Sequence, residues 1–152
     1  MNSEAAPPVR SVTIVIPTLN AAPYLPRLLP ALLAQQAACR SRVLVIDSGS
    51  TDNTLELAAG CDRVDVLRID AFSHGRVRNM GVRHCAADVV VFLSQDALPA
   101  DDAWLANLLK PFSDLSVAAV FSRQRPYPDA TPMEQFFLAT HFPPDGPVRM
   151  AR

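Results

Sequence analysis

Two aspartates close apolar runs, and each could do chemistry there. Asp47 ends Arg42-Val43-Leu44-Val45-Ile46, and Asp96 follows Val89-Val90-Val91-Phe92-Leu93 after only Ser94 and Gln95. A carboxylate in such a place is partly desolvated unless something donates to it. For Asp47 the donor could be a base N–H or a ribose hydroxyl, or the turn Asp47-Ser48-Gly49-Ser50 itself. The residues leave both open. For Asp96 the partner could be a hard cation, because Mg2+ or Mn2+ takes one or two carboxylates together with phosphate oxygens. A plain turn is the alternative. A third cluster, Arg76, Arg78 and Arg83, follows His74-Gly75. At about 100° per residue, Arg76 and Arg83 share a helix face while Arg78 points roughly opposite. One arginine beside a helix N-terminus makes a pyrophosphate site. The alternative is a solvated basic face.

The elements that must position these groups alternate along the chain. Ser11–Ile16 is a β-branched run that reads as a buried strand. Leu25, Leu28, Leu29, Leu32 and Leu33 recur at helical spacing within 22–36. Pro23, and Pro26 after it, suit a first turn, whereas Pro30 should kink this helix or displace its start. Arg42–Asp47 is a second strand, and Asp52 offers an N-cap for a helix to Ala59, stopped by Gly60. Arg63–Ile69 is a third, alternating strand. Gly75–His84 is a short helix weakened by Gly81. Val89–Leu93 is a central strand. Asp101 or Asp102 caps a helix to Leu109, Val117–Phe121 is a fifth strand, and Pro132 opens a last helix to about Thr140. Such alternation implies crossover units and a mostly parallel sheet covered on both faces. Ligands of such sheets bind at the carboxyl ends of the strands. Pro17-Thr18-Leu19-Asn20, Asp47–Asp52, Phe72–Gly75 and Ser94–Ala97 all fall there.

Composition narrows the function classes. Nearly half of the 152 residues are hydrophobic and 19% are charged, which is globular rather than disordered. The net charge of −1 gives no basic footprint for nucleic acid. Three cysteines more than twenty residues apart make neither a disulfide framework nor a zinc pattern, and free thiols suit the cytoplasm. Residues 1–10 lack the apolar core of a signal peptide, and no apolar stretch approaches the ~20 residues that span a bilayer. His74, His84 and His141 share no metal-ligand spacing, and only His74 falls in a candidate loop. No GxGxxG, GxxxxGK[ST] or GxSxG motif is present.

Together these loops resemble family 2 glycosyltransferases. Val12-Thr13-Ile14-Val15-Ile16-Pro17-Thr18-Leu19-Asn20 is similar to the family's first strand and nucleotide loop. Val45-Ile46-Asp47-Ser48-Gly49-Ser50-Thr51-Asp52-Asn53-Thr54 is similar to its V-D-D-G-S-x-D-x-T signature, and Ser94-Gln95-Asp96 stands where the family has D-x-D. Arg78-Asn79-Met80-Gly81 resembles its R-N-x-G. The resemblance spans about Val12 to Phe137. It implies the GT-A fold, a Rossmann-like α/β/α sandwich with a mostly parallel sheet, truncated on its C-terminal side. Residues 11–141 would be the nucleotide-sugar-binding part, 1–10 a flexible segment and 142–152 a tail at the truncation point.

The resemblance also implies roles. Pro17, Thr18 and Asn20 would lie along the nucleoside, Asp47 would contact its base and Arg78 the diphosphate; Ser50, Gln95 and Asp96 would complete the nucleotide-sugar site, with Asp96 the ligand of Mg2+ or Mn2+. Two positions depart from the pattern: Ser48 replaces the second Asp of D-D-G-S, and Ser94 the first of D-x-D. Phe72–Gly75 with Ser94–Ala97 is similar to the rhamnosyltransferase-like branch. The implied reaction is inverting transfer from a nucleoside-diphosphate sugar, of dTDP-rhamnose or UDP-sugar type, to a saccharide or lipid-linked acceptor. It would serve polysaccharide assembly at the cytoplasmic face of the membrane, with peripheral membrane association. The catalytic base is expected beyond Arg152, since Asp129, Glu134 and Asp145 match no base motif. A chain cut in this way should self-associate through its exposed edge. A non-catalytic nucleotide-sugar-binding module of the same fold is the alternative.

Overall fold

The structure, a computed structural model, describes residues 8–143. Most of the expected segments 1–10 and 142–152 lies outside these residues. They fall into two compact units, 8–107 and 108–143.

The first unit is built on four parallel strands: β1 (Ser11–Thr18), β2 (Arg40–Asp47), β3 (Val64–Arg68) and β4 (Val89–Phe92). Their order is β3-β2-β1-β4. Helix α1 (Leu25–Leu33) joins β1 to β2, α2 (Thr54–Ala59) joins β2 to β3, and α3 (His74–His84) joins β3 to β4. The first two connections step one way across the sheet, and the third returns over its whole width. Right-handed crossovers therefore put α1 and α2 on one face and α3 on the other.

Packing follows that division. In a strand, alternate side chains serve opposite faces. Val15, Leu44 and Ile46 cluster with Val77 of α3. Ile14, Ile16, Val43 and Val45, one residue out of phase, are fully buried on the side of α1 and its buried Leu25, Leu28, Leu29 and Leu32. Each such side chain contributes roughly 1.5–3 kcal/mol when removed from water. β1 and β2 are central, so both faces of their apolar runs are covered. β3 lies at the edge, and its expected alternation is reduced to partial burial of Val64 and Leu67.

Several boundaries differ from expectation, for identifiable reasons. Helix α1 starts at Leu25, not Ala22, because the Ala21 carbonyl closes a turn by accepting from Tyr24 N and Leu25 N. This leaves Pro26, rather than Pro23, in the first turn. The helix ends at Leu33 because Gln36 N donates to the Asp102 carbonyl at 2.9 Å instead of continuing the helix. Gln35 turns its amide to α4 (Trp104–Leu109), accepting from Leu105 N at 2.9 Å. Asp52 serves α2 from one residue further out than expected: Asn53 holds the N-cap position, while the Asp52 carboxylate accepts from Thr54 N at 3.0 Å.

In the second unit, a 3-10 turn (Lys110–Ser113) takes up Pro111. The expected strand Val117–Phe121 is not formed: Ala119 makes an isolated bridge and only Val117 is buried. A strand exists only through its ladder, and Ala118-Ala119 has little apolar surface to drive one. The last helix, α5 (Pro132–His141), opens with the anticipated proline and a reciprocal capping box between Thr131 and Glu134.

Gly81 was read as a weakness of α3, but it sets the approach of α3 to the sheet. A Cβ there would stand 2.9 and 3.1 Å from the two Val15 methyls and 3.5 Å from Phe92. Val15 is fully buried and stiff at χ1, so it cannot swing aside. Gly81→Ala should destabilise the protein by roughly 1–3 kcal/mol in urea denaturation, although alanine is intrinsically the better helix former by about 1 kcal/mol. Unchanged or higher stability would contradict this packing.

Candidate functional site

Strand order reverses between β1 and β4, and a crevice opens where their carboxyl ends diverge. A cleft of about 350 Å3 lies there. Pro17 and Thr18 at the end of β1, Leu19 just after it, Ser48 after β2, and Leu93, Ser94 and Gln95 after β4 line it. Phe72, His74 and Arg78 at the head of α3, with Phe92, close it. All of these belong to the first unit. Phe72 and His74 pack edge to face with centroids 4.7 Å apart.

The loop after β2 is organised by Asp47, which is 1% exposed. Its Oδ2 accepts from Gly49 N at 3.1 Å and Ser50 N at 3.0 Å. Its Oδ1 accepts from the Thr18 hydroxyl at 3.1 Å and from the Ser50 hydroxyl. A carboxylate offers about four acceptor sites, and here all are used. Burial pushes the Asp47 carboxyl up, but the Ser50, Gly49 and Thr18 donors outweigh it and hold the group below the usual carboxylate range. Of the two readings left open by the sequence, the geometry shows the turn: its own loop and Thr18 saturate Asp47.

The same loop is laced to β1. Ser48 donates its hydroxyl to the Thr18 carbonyl at 2.9 Å. An ionised aspartate could not make that bond, so the serine at this signature position adds a tie between the strand ends. Asn20 takes a left-handed conformation (φ 50°), which asparagine tolerates. Its N–H donates to Ser50 Oγ at 2.8 Å, and its Oδ1 accepts from Thr51 N at 2.9 Å. Asp52 accepts from Ala22 N at 3.1 Å. The Thr54 hydroxyl is the main cause that holds the Asp52 carboxyl below its usual range.

The sequence candidates therefore divide. Pro17, Thr18, Arg78 and Gln95 line the cleft. Asp47, Asn20 and Ser50 stand behind its wall and shape the loop. Asp96 lies one residue past the lining, exposed at the turn that follows β4. Arg78 is exposed and donates to the His74 carbonyl at 3.2 Å. No group of three His, Cys, Asp or Glu stands together among the described residues. Leu19, Phe72, Phe92 and Leu93 were not singled out as ligand contacts. Apolar residues in strand-end loops carry no signal until the topology brings those ends together.

Asp47 makes a stability prediction. Its carboxyl is depressed in the folded state, so its contribution is present above the unfolded value near pH 4 and is lost as pH falls through the folded value. Asp47→Asn should cost on the order of 1–3 kcal/mol at pH 7 in denaturant titrations. The gap from the parent protein should shrink below about pH 4. A deficit independent of pH would rule out the ionised carboxylate as its source.

Comparison with known proteins agrees with this geometry. Residues 13–143 match the family described as glycosyl transferase family 2. The chain is 42% identical over 125 residues to the O-antigen chain rhamnosyltransferase RfbN of Salmonella typhimurium, covering 80% of this chain and 40% of that protein. It is 35% identical to the O-antigen chain rhamnosyltransferase WbaN of Salmonella anatum, covering 81% and 40%. It thus spans about 40% of the length of these curated relatives. Among solved structures it resembles the mannosyltransferase PcManGT from Pyrobaculum calidifontis, in complex with GDP-Man and Mn2+, with TM-score 0.63, 28% identity and coverage of 76% of this chain and 36% of that one. A parallel sheet with its cleft at the strand-order reversal, and a family match over 13–143, lead to one conclusion: this chain belongs to glycosyl transferase family 2 and carries the GT-A fold.

Proposed function

We propose that this chain is the donor-binding part of an inverting glycosyltransferase, using a nucleoside-diphosphate sugar and a saccharide or lipid-linked acceptor. The observation that carries the reading is the cleft at the β1/β4 reversal, with a saturated nucleoside loop on one wall and Arg78 on the other. The likeness to two O-antigen rhamnosyltransferases supports a dTDP-rhamnose type of donor. The role fits polysaccharide assembly at the cytoplasmic face of the membrane, with peripheral membrane contact. Among the described residues no helix is long and apolar enough to cross a membrane, and the three cysteines are free.

Pro17, Thr18 and Asn20 hold the wall along the nucleoside, and Ser50 and Asp47 keep that wall in shape. A ligand atom bonding to Asp47 would have to exchange with one of its four donors. Arg78 offers a planar fork of N–H donors to diphosphate oxygens as negative charge develops on the leaving group. Asp96 would hold Mg2+ or Mn2+. With one protein carboxylate the donor set suits a cation that keeps several waters and completes its shell with substrate phosphates. Such a cation, when bound, neutralises the diphosphate. Activation of the acceptor needs a carboxylate base. The cleft lining has none, and Glu134 is committed to the α5 cap through Thr131. We place the base outside the described residues.

Calorimetry with UDP and dTDP, in Mg2+ and in EDTA, tests the reading. Binding should be stronger with Mg2+. Asp96→Ala should remove that difference, and Arg78→Ala should weaken both nucleotides about ten-fold or more, the loss of one charge-assisted pair. No binding of either nucleotide would sink the proposal. Exposed Met133, Phe136 and Phe137 on α5 support self-association. Sedimentation velocity should then show mass rising with concentration, and a monomer throughout would dismiss it.

A further inference from the structure

We infer that Gln95 is a positioning residue that ties the ends of β1 and β4 together beside the crevice by acting as one more rung of the sheet. This rests on the donor-site reading for its consequence, but not for its geometry. β1 pairs with β2 as far as Thr18↔Asp47, yet its register with β4 ends at Val15↔Phe92. The last backbone tie between them is Leu93 N to the Val15 carbonyl at 3.1 Å. Beyond it the ends diverge, and Gln95 reaches across. Leu19 N donates to Gln95 Oε1 at 2.9 Å, and Gln95 Nε2 donates to the Leu19 carbonyl at 3.2 Å. A primary amide presents an acceptor and a donor side by side, which matches the N–H and C=O of a single strand residue, so it can replace a missing rung.

The consequence runs to the opposite wall. Leu19 leads into Asn20, whose N–H is bonded to Ser50 and whose side chain holds Thr51. Ser50 in turn donates to Asp47. Gln95, one residue from the cation-side aspartate, therefore holds the nucleoside-side loop. Its clamping Oε1 and Nε2–H are spent on protein backbone rather than on ligand.

Amide exchange followed by NMR tests the clamp without any ligand. Leu19 N–H is held by Gln95 Oε1, so its protection should depend on that side chain. Relative to core amides such as Val45, Leu19 should exchange about ten-fold faster in Gln95→Ala, the loss of one hydrogen bond. Gln95→Glu keeps the acceptor for Leu19 N–H and should retain most of the protection. UDP affinity of Gln95→Ala should fall to a similar extent in Mg2+ and in EDTA, because the loop and not the cation is disturbed. Equal Leu19 exchange in all three proteins, or an affinity loss confined to Mg2+, would overturn the inference. If the parent protein binds no nucleotide, the donor-site reading fails while the exchange result still decides the clamp.

Discussion

Everything at this site depends on one topological constraint, the reversal of strand order at β1. Two crossovers build β1-β2-β3 outward, and the third must return across the sheet to lay β4 beside β1. Handedness then forces α3 to the face opposite α1 and α2. β4 therefore arrives beside β1 from the other face, and past the Leu93 N–Val15 O bond a crevice opens between the two strand ends. The cleft is a product of connectivity before any side chain is chosen.

Side chains then fix its dimensions. Gly81 lets α3 lie against Val15 and Phe92, which sets where Arg78 enters the cleft. Asp47 draws Thr18, Gly49 and Ser50 onto one carboxylate and so stiffens the wall behind it. Such a carboxylate is better suited to preorganising a binding surface than to exchanging partners, because each of its acceptor sites is already matched. An aligned loop lowers the ordering cost of binding. On the proposed donor-site reading, direct contact would fall to backbone groups, Arg78 and the apolar lining.

The sheet was largely legible, and the reason is burial. β1 and β2 are covered on both faces, so their sequences are nearly continuous hydrophobic runs. The positions of the loops after β1 and β2 followed from those strands, and with them Thr18 and Asp47, whereas Arg78 was singled out by the resemblance of Arg78-Asn79-Met80-Gly81 to R-N-x-G. Helix ends were less legible. The end of α1 is decided by a backbone bond to Asp102, 66 residues away from Gln36. Val117–Phe121 reads as a strand by composition, but the ladder it requires is not formed. Gln95 was recognised as a site residue, yet its clamping of Leu19 depends on the gap between β1 and β4, which only the folded topology creates.

The central claim is that a nucleoside diphosphate occupies the β1/β4 crevice. Mapping amide shift changes along the chain during a titration with UDP or dTDP tests it most directly. The account predicts the largest changes at Thr18, Leu19, Ser48, Arg78, Gln95 and Asp96, with β3 and α2 nearly silent. Changes centred on β3 or α2, with the crevice residues unmoved, would contradict it.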